Sequence, residues 1–332
     1  MSGGGFDKTY SLLGTYIGGK LEKEVFLDNR FKLFYNTFFR SKYRIGILIA
    51  LIIEQIQIFF KIPSVASVWL YNVSSLNVIL YVLLKIFKPT VLINIIQLDF
   101  TPVEKGFGLN NIFLKIFNNS QGNIRLSESP LFINKNSITL PGVVPHNSGD
   151  EPRIEFYNNK YLLSGVLTEN ISQLSMVLDT FSQLPSCELH ITGKIDDDSL
   201  ILKYSQKYFN IFWYGNVSFK EYLDIMHSCT YQLSTRNPNY IENQCNFPSK
   251  IIEALLHNRI IISTIEYKQI ENVKYFIVDS DADSFRMHID RISKLSIQEL
   301  IGYANQGKRV SEIYSPEVWN KSMSKIEGYE KI

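Results

Sequence analysis

Short apolar runs rich in β-branched residues alternate along this chain with stretches whose apolar positions recur every three to four residues. Such alternation predicts parallel α/β units. In the first half, helices are expected over residues 7–17, 31–40, 42–60, 76–87 and 109–117, and strands over 24–28, 67–71, 90–97 and 138–140. In the second half, strands are expected over 161–165, 188–192, 210–214, 231–234 and 260–263, and helices over 169–183, 197–207, 219–227 and 248–257, with further helices to the end. Several strands of the second half stop at a glycine: Gly165, Gly193 and Gly215. Residues 141–159 hold three prolines and two glycines and read as a linker. The expected fold is α/β, with two doubly wound Rossmann-like domains facing a central cleft. They span residues 1–150 and 151–310, and a closing segment, 311–332, packs back towards the first. A doubly wound domain opens with a strand, a glycine turn and a helix. Here the run Gly3 to Gly5 has no strand before it. Either the glycines are a flexible start, or they open the first helix with the usual first strand absent; the second is the expectation.

Composition adds a division between the halves. Residues 1–150 carry 15 Lys and Arg against 9 Asp and Glu; residues 151–332 carry 19 against 23. A basic first half with long apolar stretches suits an anionic lipid surface, although six charges spread over a domain can equally mean little. The most apolar run, residues 45–60, contains Glu54, Gln55 and Gln57 and is short for a membrane span. It reads as a buried helix or, flanked by Lys42, Arg44 and Lys61, as a helix lying in the membrane interface. The chain opens without a secretory signal. The three cysteines, Cys187, Cys229 and Cys245, show neither metal-ligand spacing nor a disulfide framework. A cytoplasmic protein, peripheral on the inner membrane through its first half, is the expectation. No nucleophile elbow supports a serine hydrolase, and no basic stripe interleaved with aromatics supports nucleic-acid binding.

The segment with most chemistry is Asn246-Phe247-Pro248-Ser249-Lys250-Ile251-Ile252-Glu253. Pro248 suits the first position of a helix, where its missing N–H costs nothing. The free N–H groups of a helix start, with the dipole behind them, bind phosphate. Lys250 lies in the first turn, where the dipole disfavours a cation, and a bound anion would resolve that conflict. Glu253, three residues on, shares a face with Lys250 and can accept hydrogen bonds from two sugar hydroxyls. The pair suits a nucleoside diphosphate: charge for the diphosphate, carboxylate for the ribose. Taken alone, the segment is also compatible with an ordinary exposed Lys–Glu pair.

Its setting carries a resemblance. Tyr161-Leu162-Leu163-Ser164-Gly165, Cys187 to Gly193, Ile211 to Val217, Leu233-Ser234-Thr235-Arg236, Asn246 to Glu253 and Ile260 to Thr264 follow in an order that resembles the donor domain of family 4-like glycosyltransferases from bacterial polysaccharide clusters. The likeness spans roughly residues 160–265, and Phe-Pro-Ser-Lys-x-x-Glu is its most specific piece. It implies GT-B architecture and transfer from a nucleoside-diphosphate sugar, UDP- or GDP-linked, with retention of configuration and no metal or other cofactor. It implies that Lys250 and the Ser249 backbone, behind Pro248, meet phosphate, and that Glu253 meets ribose. Gly165 would let the sugar-phosphate approach, and Gly193, Tyr214 and Gly215 would line the base. The implied acceptor is a lipid-linked or oligosaccharide chain, as in O-antigen or capsule assembly.

Two departures weigh against activity. Many relatives carry a glutamate eight residues before the Glu253 position, where this chain has Cys245. Many also carry a basic residue after the glycine at 165, where this chain has Leu167-Thr168-Glu169-Asn170; Arg236 is the candidate substitute. In the first half, Asp99 is either a catalytic group facing the acceptor or a loop cap, and His146 lies in the linker. The rival reading is therefore a non-catalytic glycosyltransferase-like subunit. A sugar-nucleotide epimerase lacks its convergent carboxylates and histidines.

Overall fold

The computed structural model describes residues 9–11, 24–28, 31–35, 44–98, 100, 108–144 and 158–328. The chain forms two compact units. The first comprises Met1–Arg125, Ser129–Thr139 and Glu317–Ile332; the second comprises Leu126–Glu128 and Leu140–Pro316.

In the first unit, β1 (Thr9–Ser11), β2 (Glu24–Asp28) and β3 (Phe31–Tyr35) form one sheet. Strand β1 pairs parallel with β3, and β2 pairs antiparallel with it. Helix α1 (Arg44–Lys61), β4 (Ser67–Tyr71), α2 (Val78–Phe87), β5 (Leu92–Gln97), α3 (Leu109–Asn118), β6 (Gly122–Arg125) and β7 (Ser137–Thr139) follow. These last four strands make a parallel sheet in the order β4-β5-β6-β7. Two expectations are corrected here. Residues 9–11 and 31–35 are strands, not parts of helices over 7–17 and 31–40. Aromatic and apolar residues in so short a run fit either period, and pairing across strands decides between them. Strand β6 was not foreseen, because Gly122-Asn123-Ile124-Arg125 lacks an apolar run; it is held by β5 and β7 on both sides. Gly3 to Gly5 and His146 lie outside the described residues.

The second unit runs β8 (Lys160–Val166), α4 (Glu169–Ser172), α5 (Leu174–Ser182), β9 (Glu188–Lys194), α6 (Ser199–Lys207), β10 (Ile211–Trp213), α7 (Phe219–Ser228), β11 (Tyr231–Ser234), α8 (Ile241–Cys245), α9 (Ser249–Leu256) and β12 (Ile260–Ser263). A 3-10 turn over Lys268–Ile270, β13 (Phe276–Ile277), α10 (Ala282–Ser293), α11 (Ile297–Leu300) and α12 (Gly307–Ile313) follow, and α13 (Pro316–Glu327) begins at the boundary with the first unit. The sheet is parallel throughout, in the order β10-β9-β8-β11-β12-β13. Counted within the unit this is 3-2-1-4-5-6, so the side on which successive strands are added switches between β8 and β11. In sheets of this kind ligands bind beyond the carboxyl ends of the strands at that switch point.

One face of the sheet buries Tyr161, Leu163, Leu189, Ile191, Leu233 and Ile262 against Val177 and Phe181 of α5 and Phe285 and Ile289 of α10. The other face carries Leu162, His190, Gln232 and Ile261. A single helix was expected over 169–183. It is broken at Gln173, whose φ of 46° is left-handed and whose side-chain amide donates to the Thr235 carbonyl at 3.2 Å. The polar stretch after β11, expected as a loop, contains α8.

Candidate functional site

The site is built on the ends of β8 and β9 and on the helices α7 and α9. Glycines end the two strands opposite each other, Gly165 in register with Gly193. A Cβ at Gly193 would lie 2.0 Å from the Gly165 carbonyl oxygen, and Gly193 has φ +145°. No side chain fits there. A Cβ at Gly165 (φ +116°) would meet the Lys250 Cε at 3.2 Å. Both glycines therefore open room for the chain's own atoms, and Gly165 gives its space to the stem of Lys250. Gly215 (φ +71°) has nothing within 4 Å of where its Cβ would be. Its carbonyl accepts hydrogen bonds from the Gly193 N–H at 3.0 Å and the Thr192 hydroxyl at 2.8 Å.

Helix α9 is amphipathic and buries Ile251, Ile252, Ala254 and Leu255, which leaves Lys250 and Glu253 on its outer side. Pro248 is the N-cap rather than the first helical residue, and no side chain caps this end. Ser249, the first helical residue, is exposed. The conflict between the Lys250 ammonium and the helix dipole is partly met within the chain. Nζ lies 4.2 Å from the centre of the Tyr222 ring, a cation–π contact. Glu253 Oε2 is 3.9 Å away, an ion pair too long for a hydrogen bond. Tyr222 donates its hydroxyl to that same Oε2 at 2.9 Å. One tyrosine thus holds the cation on its face and the carboxylate at its tip. Burial pulls the Lys250 pKa below its ordinary value, and Glu253 draws it back up. Burial, then Glu253, push the Tyr222 pKa up, which keeps the phenol protonated and donating.

Tyr222 was not foreseen. Helix α7, started by a capping box between Ser218 and Glu221, buries Tyr222 and Met226 on one face. A tyrosine at such a core position needs an acceptor for its hydroxyl; that need is the one signal in the sequence, and it does not name Glu253 as the partner.

The remaining candidates are spread around this group. Arg236, just past β11, donates to Asn243 Oδ1 at 3.3 Å and the Asn246 carbonyl at 3.4 Å. Asn243 in turn donates to the carbonyls of Asn170 at 2.7 Å and Asn237 at 2.9 Å, tying this loop to α4. The Tyr214 hydroxyl and His190 Nδ1 share a hydrogen bond of 2.8 Å whose direction depends on the imidazole tautomer. His190 stacks between Phe212 and Tyr214, and its other nitrogen is 3.3 Å from Glu188. Burial lowers the His190 pKa against the pull of Glu188. Cys245 is buried, and its carbonyl accepts the Ser127 hydroxyl. Asp99 lies outside the described residues. Among the described residues, no three His, Cys, Asp or Glu side chains gather into a metal-binding group.

No family model matches the chain, and no curated protein matches it in sequence. Solved structures share its fold. OtsA in its apo structure superposes with a TM-score of 0.67 at 12% identity, over 93% of this chain and 89% of that one. A UDP-forming α,α-trehalose-phosphate synthase from Burkholderia xenovorans, solved with glucose-6-phosphate, gives 0.60 at 9% identity over 87% and 80%. TarM gives 0.59 at 13% identity over 84% of this chain and 58% of its own, so the chain spans less than two thirds of TarM. At these identities the likeness shows the fold, which is α/β of the GT-B type.

Proposed function

We propose that this chain is a glycosyltransferase that takes its sugar from a nucleoside-diphosphate donor held against the second unit. The observation that carries the reading is the state of Lys250. Its half-buried ammonium makes no hydrogen bond to a described residue and stands at the start of an uncapped helix, beside the end of β8 at the switch point of the sheet. An ammonium with three unused donors, next to free backbone N–H groups, is complementary to a diphosphate. In this reading Lys250 and the helix start meet the diphosphate and stabilise the charge that develops as it leaves the sugar. Glu253 accepts the ribose hydroxyls. Gly215 and Tyr214 form the wall on which the base lies, and Arg236 lies on the loop beyond β11. Supply of charge by side chain and helix is consistent with a metal-independent reaction. A lipid-linked glycan as acceptor, retention of configuration and a role for Asp99 extend the proposal by resemblance.

Calorimetric titration of UDP and GDP into the purified chain tests it. Wild type is expected to bind one of them. Lys250→Ala should weaken that binding roughly ten- to a hundred-fold, the worth of a hydrogen bond to a charged group. Glu253→Ala should do similar damage, while Glu253→Asp should be intermediate. Lys325→Ala, a distant surface change, should do nothing. Binding of neither nucleotide by wild type would overturn the proposal in favour of a non-catalytic subunit. Equal binding by wild type and both alanine variants would move the site elsewhere.

A further inference from the structure

Helix α1 is built inside out. Its inner face buries Glu54 and Gln55 along with Ala50, Ile58 and Phe59. Gln55 has a reason to be there: its Oε1 accepts the Leu80 N–H at 3.0 Å and so ties α1 to α2. The outer face exposes Ile45, Leu48, Ile49, Ile52, Ile56 and Phe60, a stripe at helical spacing that runs the length of the helix. Ile45 and Phe60, at its two ends, are 74% and 75% exposed. Phe60 packs edge-on against Phe59, which packs in the same way against Phe87 at the end of α2, so the stripe continues into exposed Phe87 and Ile86. An apolar surface of this extent marks an interaction site.

Charge says what covers it. From residue 44 to residue 98 the charged residues are Arg44, Glu54, Lys61, Lys85 and Lys88. The single carboxylate among them, Glu54, is buried, so the accessible charges described on α1, on α2 and just after it, Lys61, Lys85 and Lys88, are all positive. A second copy of this face would set these cations against their own kind, with no accessible carboxylate on either helix to pair them. An anionic lipid surface supplies both hydrocarbon for the isoleucines and negative headgroups for the lysines. No helix among the described residues is long and apolar enough to cross a membrane. We infer that α1 and the end of α2 form a membrane-docking surface: α1 lies in the plane of the interface, its stripe among the acyl chains, with Lys61 and Lys85 at headgroup level. This inference stands independently of the donor site.

Flotation of the full chain with phosphatidylcholine vesicles, with and without phosphatidylglycerol, tests it. Binding is expected to the anionic vesicles at low salt and to weaken at high salt, where surface charges are screened. The pair Ile52→Asn and Ile56→Asn should cut binding about tenfold or more, with an unchanged melting temperature. Lys61→Glu with Lys85→Glu should remove the preference for anionic lipid. Leu202→Asn, an isolated exposed leucine on α6, should bind as wild type does. Failure of wild type to float with anionic vesicles overturns the inference. So does undiminished binding by the asparagine pair. A large fall in melting temperature for that pair shows that the stripe is packed against the chain itself, and self-association lost in the same variant shows that it is a homodimer face; either result overturns the lipid assignment.

Discussion

Tyr222 joins the two charges on which the proposed donor site rests. Its ring carries Lys250 and its hydroxyl holds Glu253, so the two contacts can be separated by substitution. Tyr222→Phe keeps the ring and loses the hydrogen bond; it should weaken nucleotide binding by roughly three- to ten-fold, about the worth of one such bond. Tyr222→Leu removes both contacts and should approach the loss seen for Lys250→Ala. Equal binding by wild type and both variants, alongside a damaged Lys250→Ala, would leave the site in place and deny Tyr222 its part. Glu54 offers a second residue-scale test. It is 2% exposed, and neither carboxylate oxygen finds a hydrogen-bond partner among the described residues. Burial raises its pKa from 4.5 to about 7. A carboxyl whose folded pKa is raised favours the native state while protonated. Its contribution is complete below about pH 4.5 and is lost as pH rises through about 7. Glu54→Gln should remove this loss. Above pH 7 the variant should be more stable than wild type by roughly 3 kcal/mol, and the difference should shrink towards pH 5. Denaturant melts across that range would show it, and a difference that does not change with pH would refute it.

Among the elements, the pairing of β8 with β9 shows most sharply what a glycine can do. Gly193 has a left-handed backbone and no space for a Cβ against the Gly165 carbonyl. Gly193→Ala combines both penalties and should cost about 3 kcal/mol or more. Thermal melting should register it, and a stability within error of wild type would contradict the packing described here. The glycine pattern was legible in the sequence, but its meaning was not. Gly165 was expected to admit the sugar-phosphate and Gly193 to line the base; the structure adds that a Cβ at Gly165 would meet the Lys250 stem and one at Gly193 the Gly165 backbone. The pairing of strands and the folding of a distant helix over them cannot be read from a run of residues. Helix α1 makes the same point from the other direction. Its apolar run was plain, but which side would bury Glu54 and Gln55 depended on α2.

At the scale of the whole molecule, the last helix belongs to the first unit. Glu327 accepts the Trp69 indole N–H at 2.8 Å and the Ser67 hydroxyl, both on β4. Met323 and Ile326 are buried, and Gly122 on β6 leaves room for the Ile326 side chain. Removing residues 317–332 should therefore lower the thermal stability of the first unit, which hydrogen exchange can follow strand by strand. Faster exchange is expected in β4 and β6 and unchanged protection in β8 and β9. Loss of protection confined to the second unit would be the contrary result. For the fold, the alternation of elements was enough to expect two doubly wound α/β units, because the periods of apolar residues are set locally by backbone geometry; the GT-B type was an expectation from the resemblance of residues 160–265.

The amino-acid sequence by itself determined β8 to β12 of the second unit (though not the short edge strand β13), the amphipathic α9 with Lys250 and Glu253 on one side, and the apolar character of α1. These follow from side-chain spacing along a helix or strand. Only the tertiary structure decided that β1 and β3 are strands, that Tyr222 reaches Lys250 and Glu253, that Tyr214 turns to His190, and that the isoleucines of α1 face outward. Each of those depends on residues far apart in the chain competing for the same space and the same hydrogen bonds, and that competition is settled only when the elements pack.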